Sequence, residues 1–280
     1  MSHLFQIIES IGSGQFSLVF LAKRKRKTSQ EPVAIKVEKE DNPITMIQYE
    51  SKIMHYLNEQ QCYHIPAVYW YGMFEGRPSL AMTYYSFSLE TYICKDEFPR
   101  EPKEPEKILC EIVKIMKSVH EAKVIHCDIK PANFMMKNDQ IYLVDFGLSK
   151  IYVDENGENF ADSYVQQQFL GTPKYISVYI HQGHSPSLRD DIISCLYVYL
   201  FSKTKHLYWD KLPEKPLQND DLPENHIHEF RNQERYKKKV ELYKKIQDTH
   251  LGKALSLMEN TLFGGIPDYT KLLNLFVNLI

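Results

Sequence analysis

Over the first 84 residues the chain alternates short apolar runs with turn residues. Apolar stretches at 4–11 and 17–22 flank a glycine turn, and a β-branched run at 33–38 follows Pro32. Further runs at 67–74 and 80–84 have the length and composition of strands. Between them, Ile44, Ile47, Ile53, Met54 and Leu57 within residues 44–59 lie nearer to helical spacing than to alternation. The expected product is a small antiparallel sheet carrying one helix. Beyond residue 88 helical spacing dominates. Residues 105–122 place Ile108, Leu109, Ile112, Val113, Ile115, Met116 and Val119 on one face, and Pro105 suits a first helical turn. Residues 190–201, 234–249, 253–262 and 269–279 are expected helices, 141–144 a short strand, and 152–169 a polar stretch without clear period. The expected fold class is α+β in a single domain: a β-rich small lobe at about 1–82, a hinge at about 83–87 and a helical large lobe at about 88–280.

Composition narrows the chemistry. Lys and Arg number 34 against 36 Asp and Glu, a net charge of −2. Such a balance argues against nucleic acid or an anionic membrane as the main partner, because polyanionic surfaces favour strongly basic proteins. The five cysteines are odd in number, widely spaced and lack a C-x-x-C pair. They read as reduced thiols, with neither a disulfide framework nor a zinc site expected. No secretory signal and no uninterrupted apolar stretch of about 18 residues is visible, so the expectation is a cytoplasmic or nuclear chain off the membrane. The basic runs at 23–27 and 237–239 read as a charged hairpin tip and a solvated helix face, with nuclear import or docking of an acidic partner as the functional alternative. His226 and His228 have no third ligand nearby in sequence, so no metal site is expected there.

Four strings carry chemistry. Gly12-Ser13-Gly14 lies between Ile11 and Val19 and joins two expected strands, where backbone N–H groups can approach phosphates closely. It lacks a third glycine, Ser17 standing there, and also lacks the ending of a Walker loop. Val33-Ala34-Ile35-Lys36 puts a lysine in an apolar strand, where an ammonium needs a partner. Glu50 on the following helix is the natural one. His126-Cys127-Asp128-Ile129-Lys130-Pro131-Ala132-Asn133 spaces an aspartate and an asparagine five apart, and Asp145-Phe146-Gly147 follows twelve residues later. Any one of these strings could arise by chance. Their joint order and spacing match those of protein kinases.

On these residues the sequence resembles a eukaryotic protein kinase, and within that superfamily the casein kinase 1 family, over nearly the whole chain. The narrower resemblance rests on VAIKVE at 33–38, YESKIM at 49–54, GTPKYIS at 171–177, the absence of an A-P-E motif at 177–183, RDD at 189–191 and PDY at 267–269. The resemblance implies a bilobal protein-kinase fold and an ATP- and Mg²⁺-dependent serine/threonine kinase. In that reading Lys36 orients the α- and β-phosphates and Glu50 holds Lys36. Asp145 and Asn133 bind Mg²⁺. Asp128 orients and deprotonates the attacking hydroxyl, and Lys130 stabilises charge near the γ-phosphate. Thr172 packs against the loop that carries Asp128. Gly12 and Gly14 cover the phosphates, and Ile11 and Val19 cover the adenine. Ala34 lines the nucleotide site with them. Met82 stands at the back of the adenine pocket, and Thr83, Tyr84 and Tyr85 form the hinge. Asp191 is expected to be a buried carboxylate that accepts N–H groups of the catalytic loop.

The family's preference for acidic or already phosphorylated substrates implies anion-reading roles for Lys174 and Lys150. Two departures bear on it. Cys127 replaces the arginine of the usual H-R-D, and the neutral Gln166-Gln167-Gln168 run removes other positive candidates. The expected preference is weakened, and switching by activation-loop phosphate is not expected. Expected partners are protein substrates met by a monomer, with neither membrane nor nucleic acid. The chain ends just after its last expected helix, which suggests a minimal catalytic domain. The rival reading is a pseudokinase or scaffold on the same fold. The presence of Lys36, Glu50, Asp128, Asn133 and Asp145 together argues against it.

Overall fold

The computed structural model describes residues 4–14, 16–25, 31–40, 46–95, 104–160, 170–212 and 224–280. The chain divides into two lobes. Met1–Leu89 and Ala132–Ser149 form one, and Glu90–Pro131 and Lys150–Ile280 form the other.

In the first lobe β1 (Phe5–Ser13), β2 (Ser17–Arg24), β3 (Val33–Glu38), β4 (Val68–Phe74) and β5 (Arg77–Thr83) make an antiparallel sheet in the order β1-β2-β3-β5-β4. The strand VAIKVE is central, so apolar residues are needed on both of its faces, and Val33, Ile35 and Val37 are fully buried. Ile35 and Val37 join Phe5, Ala22, Ala81 and the partly buried Trp70 and Phe74 in one cluster. Directly paired strand residues share a face. Val19 pairs with Lys36, Lys36 with Leu80, and Ala34 with Met82, so these five residues line the opposite face. Helix α1 (Met46–Glu59) packs against β3, β4 and β5, burying Ile47, Ile53, Met54 and Leu57. Ile44 lies outside the described residues.

The expected strand at 141–144 is half of a hairpin. β8 (Phe134–Lys137) and β9 (Gln140–Leu143) turn at Asn138 and Asp139, both with positive φ, and β6 (Phe87–Ser88) pairs with β8. Positive φ at both central residues is the geometry of a tight two-residue hairpin turn, and Asn and Asp tolerate it. β8 was hidden because FMMK shows no alternation of polar and apolar residues. The hairpin is fastened to its lobe by His64, whose backbone oxygen accepts from Leu143 N–H and whose Nδ1 lies 2.8 Å from the Ile141 oxygen. The His64 and Tyr85 rings pack against Tyr142.

The second lobe contains α2 (Leu89–Cys94), all but whose first residue lie in it, α3 (Pro105–Glu121), β7 (Val124–Ile125) paired with β10 (Lys150–Ile151), α4 (Val178–His181), α5 (Leu188–Thr204), α6 (Glu224–Lys245), α7 (His250–Glu259) and α8 (Tyr269–Val277). α5 is apolar on all sides from Ile192 to Phe201 apart from Ser194, and such a helix belongs in the centre of a core. It packs against α3 and α7, and α3 also packs against α8. α6 begins ten residues before the expected start at 234, because its first turns hold only Ile227 and Phe230 as apolar residues, too few to read as a stripe.

The N-terminus of α5 organises two loops. Asp190 accepts the Ser187 N–H at 2.9 Å and both the Ser187 and Ser177 hydroxyls. Asp191 accepts the backbone N–H groups of His126 at 2.7 Å and Cys127 at 3.0 Å, and lies 3.1 Å from Nε2 of His120. These bonds hold Cys127 in a left-handed conformation (φ 67°), which a non-glycine residue adopts only when its surroundings enforce it. Gly171 (φ 98°) passes so close that a Cβ there would lie 2.5 Å from the Cys127 oxygen.

Asp191→Ala strands two buried N–H groups and should cost about 3 kcal/mol or more in urea unfolding; a loss under about 1 kcal/mol would mean that water replaces the carboxylate. Burial pushes the Cys127 and Cys195 thiols well above the ordinary range, whereas Cys94 is exposed. Iodoacetamide at about pH 8 should therefore modify Cys94 in the folded chain, with Cys127 and Cys195 reacting only on unfolding, as read by mass spectrometry.

Candidate active site

In the first lobe Lys36 is the meeting point of three elements. Its Nζ donates to Glu50 Oε2 on α1 at 2.7 Å and to Asp145 Oδ1 beyond β9 at 2.7 Å. The Glu50 side chain is 1% exposed, that of Lys36 12% and that of Asp145 43%. Burial alone would lower the Lys36 pKa, but Glu50 and Asp145 outweigh it and hold the ammonium above the ordinary lysine range. Burial raises the Glu50 carboxyl, Lys36 pulls it back, and the Asp145 charge opposes that pull. One ammonium thus binds two carboxylates, one locked inside and one reaching solvent.

The hairpin explains why Asn133 and Asp145 accompany each other. Phe134 pairs with Leu143, so Asn133 immediately precedes β8 and Asp145 follows β9 by two residues at the same end. The Asn133 oxygen accepts the Val144 N–H at 2.9 Å. Asp145 itself has φ 68° and ψ 67°, a left-handed residue that directs the chain into Phe146-Gly147. A carboxylate and an amide oxygen at one hairpin end are hard donors of the type a small dication takes.

The sheet face that carries Lys36 also carries Val19, Ala34 and Met82, and the last two are buried. Ile11 is exposed on β1. Gly14 N–H donates to the Ser17 oxygen at 2.9 Å, and Lys39 Nζ donates to the Gly14 oxygen at 2.6 Å, so the glycine turn is tethered to the end of β3. Gly12 pairs with Val19. Thr83 ends β5. Its N–H donates to the Ala67 oxygen at 3.1 Å and its Oγ1 accepts the Ala67 N–H at 3.1 Å, so its backbone donor is committed to the lobe. Tyr85 is buried.

In the second lobe Asp128 has both oxygens engaged. Thr172 Oγ1 donates to Oδ1 at 2.6 Å, and Lys130 Nζ donates to Oδ2 at 2.6 Å and to Thr172 Oγ1 at 3.1 Å. The Asp128 N–H donates to His126 Nδ1 at 3.3 Å, which assigns the other ring nitrogen the proton. A buried carboxylate is thereby oriented by a lysine and a threonine. Lys174 forms an ion pair with Asp210 at 3.0 Å, and Lys150 is exposed on β10. The 166–168 run lies outside the described residues.

The basic run at 237–239 holds a correction. It read as a solvated face, yet Lys239 is fully buried. Its Nζ donates to the oxygens of Pro173 at 3.1 Å and Ile176 at 2.6 Å, and lies 3.1 Å from His181 Nε2. The Tyr197 and Trp209 rings lie 5.0 and 5.1 Å away. Burial and then the Lys239 and Arg235 charges push the His181 imidazole down to about 2, so it is neutral and its Nε2 accepts. Burial and then the Arg235 charge push the Lys239 amine well below the ordinary lysine range, and its N–H groups meet acceptors all the same, as a buried polar group requires. The signal was present in Tyr236, Lys239, Val240 and Tyr243, which share a helical face at i, i+3, i+4 and i+7.

A sequence profile of the protein kinase domain matches residues 5–262, most of the chain. With the five-stranded sheet, the helical second lobe and the lysine–glutamate–aspartate cluster at its expected positions, the chain belongs to the protein kinase domain family.

Proposed function

We propose that this kinase is a serine/threonine-specific enzyme of casein kinase 1 type, using ATP and Mg²⁺. The observation that carries the reading is the Asp128–Lys130–Thr172 cluster. A lysine two residues after the aspartate and a threonine in the G-T-x-[RK]-Y segment are the serine/threonine pattern of the resemblance. In the proposed reaction Asp128 accepts the proton of the acceptor hydroxyl while Lys130 opposes charge on the transferred phosphoryl group. Lys36, fixed by Glu50, binds and orients the nucleotide's phosphates. Asp145 and Asn133 are the residues that would hold Mg²⁺; their oxygens fit a hard dication, and the Asp145 carboxylate is accessible. When bound, the ion neutralises part of the triphosphate's charge. Gly12 and Gly14, with Ile11, Val19, Ala34 and Met82, would enclose the rest of the nucleotide. Expected substrates are serine and threonine hydroxyls in proteins, with a weakened preference for acidic surroundings.

Phosphoamino-acid analysis of casein phosphorylated by the purified chain should return phosphoserine and phosphothreonine; phosphotyrosine as the main product would overturn the proposal. Asp128→Asn should lower kcat by about 100-fold or more with its unfolding midpoint nearly unchanged. Lys36→Met should lose as much activity and also stability, because it leaves Glu50 buried without its ammonium. Near-wild-type transfer by either variant would count against these roles.

Cys127 is buried and carries no charge that could bind a phosphorylated loop. Treating the purified chain with a phosphatase, then removing the phosphatase, should leave the initial rate within about twofold. A drop of tenfold would restore activation-loop phosphate as the switch.

A further inference from the structure

The segment after Thr172 is held rigidly. The Thr172 oxygen accepts the N–H groups of Tyr175 and Ile176 at 2.8 and 3.1 Å, Lys239 grips the Pro173 and Ile176 oxygens, and Trp209 Nε1 donates to the Lys174 oxygen at 2.7 Å. Lys174 stands two residues past the threonine that bonds Asp128, so its backbone lies within about 7 Å of that residue. A cation there would face the residues that flank an acceptor hydroxyl.

Its charge is already answered. Lys174 Nζ lies 3.0 and 3.1 Å from the two oxygens of Asp210, with the side chains 30% and 28% exposed. Asp210 does not depend on Lys174 for its position. Leu207 N–H donates to its Oδ2 at 2.7 Å, and its own N–H donates to the Leu207 oxygen at 2.9 Å. The Asp210 charge also reaches Arg235. Arg235 is pushed down by burial and by Arg231, and is pulled back up by the Asp210 charge. A preset carboxylate therefore occupies the place beside Lys174 where an acidic side chain or phosphate would otherwise be attracted.

We infer that Asp210 is a specificity-determining residue: its carboxylate neutralises Lys174 and is what weakens the kinase's preference for acidic acceptor sites. The inference deepens the proposed function and rests on the reading of Asp128 as the base. An incoming acidic group must either displace Asp210 from Lys174 or face its charge, and both weaken binding. Lys239 and Trp209 keep the segment in place independently of the ion pair, so removing the charge at 210 alters the field without moving the backbone.

Asp210→Asn tests this directly, since the amide oxygen can still accept from Leu207 N–H. The probes are two serine peptides that differ only in having alanines or glutamates on both sides of the acceptor. In the variant the ratio of kcat/KM for the glutamate peptide over the alanine peptide should rise by about threefold to tenfold. The rise should shrink in about 1 M salt, where the Debye length falls to about 3 Å. Adding Lys174→Met to the variant should cancel it. An unchanged ratio, or a rise that survives Lys174→Met, would overturn the inference. Fluorescence anisotropy of the labelled peptides carries the same comparison without catalysis. A wild-type chain that phosphorylated neither peptide would overturn the reading of Asp128, while the binding ratio would still decide the role of Asp210.

Discussion

The ammonium of Lys36 is the point on which the first lobe depends. A buried lysine without partners would cost several kcal/mol or lose its proton. Here it is satisfied from two directions, by Glu50 on α1 and by Asp145 beyond β9. Each contact requires a separate element to be in place: the central strand β3 for the lysine, the packed helix for the glutamate, and the β8–β9 hairpin for the aspartate. His64 and Tyr142 complete the arrangement by fastening that hairpin to the lobe. The asymmetry between the two carboxylates is what makes the cluster chemically useful. Glu50 is sealed and can only position, whereas Asp145 reaches solvent and can be shared with a ligand.

The second lobe applies the same physics twice, with opposite signs. Asp191 is a buried carboxylate that draws in the N–H groups of residues 126 and 127, and Lys239 is a buried amine that draws in the oxygens of residues 173 and 176. In each case a polar group that would be costly to bury alone is surrounded by backbone dipoles and so fixes a loop. The two loops so fixed are the one that carries Asp128 and the one that carries Thr172, and the hydrogen bond between these residues joins them. The site's geometry therefore traces back to two helices, α5 and α6, whose buried polar side chains point at loops rather than at each other.

Most of the framework was legible in the chain. The apolar runs and glycine turn located the five strands, and the 3.6-residue period located α1, α3, α7 and α8 to within a few residues. The spacing of Lys36, Glu50, Asp128, Asn133 and Asp145 carried the resemblance, because protein kinases place those residue types in that order. Short elements escaped. β8 lacks alternation, α2 and α4 are a turn or two long, and the first turns of α6 have no apolar stripe, so periodicity had nothing to register.

By itself the sequence determined the family, the two-lobe plan and the identity of the chemical groups, since these follow from local period and from motif spacing. Only the tertiary structure decided which charges are spent on the protein itself. Lys237, Lys238 and Lys239 are chemically alike in the sequence, yet only the third is wrapped by Pro173, Ile176 and His181. Lys174 looked like a cation open to substrate until Asp210, 36 residues away, was found against it. Whether a charge is available depends on contacts between distant segments, and residue spacing along a chain does not encode those contacts.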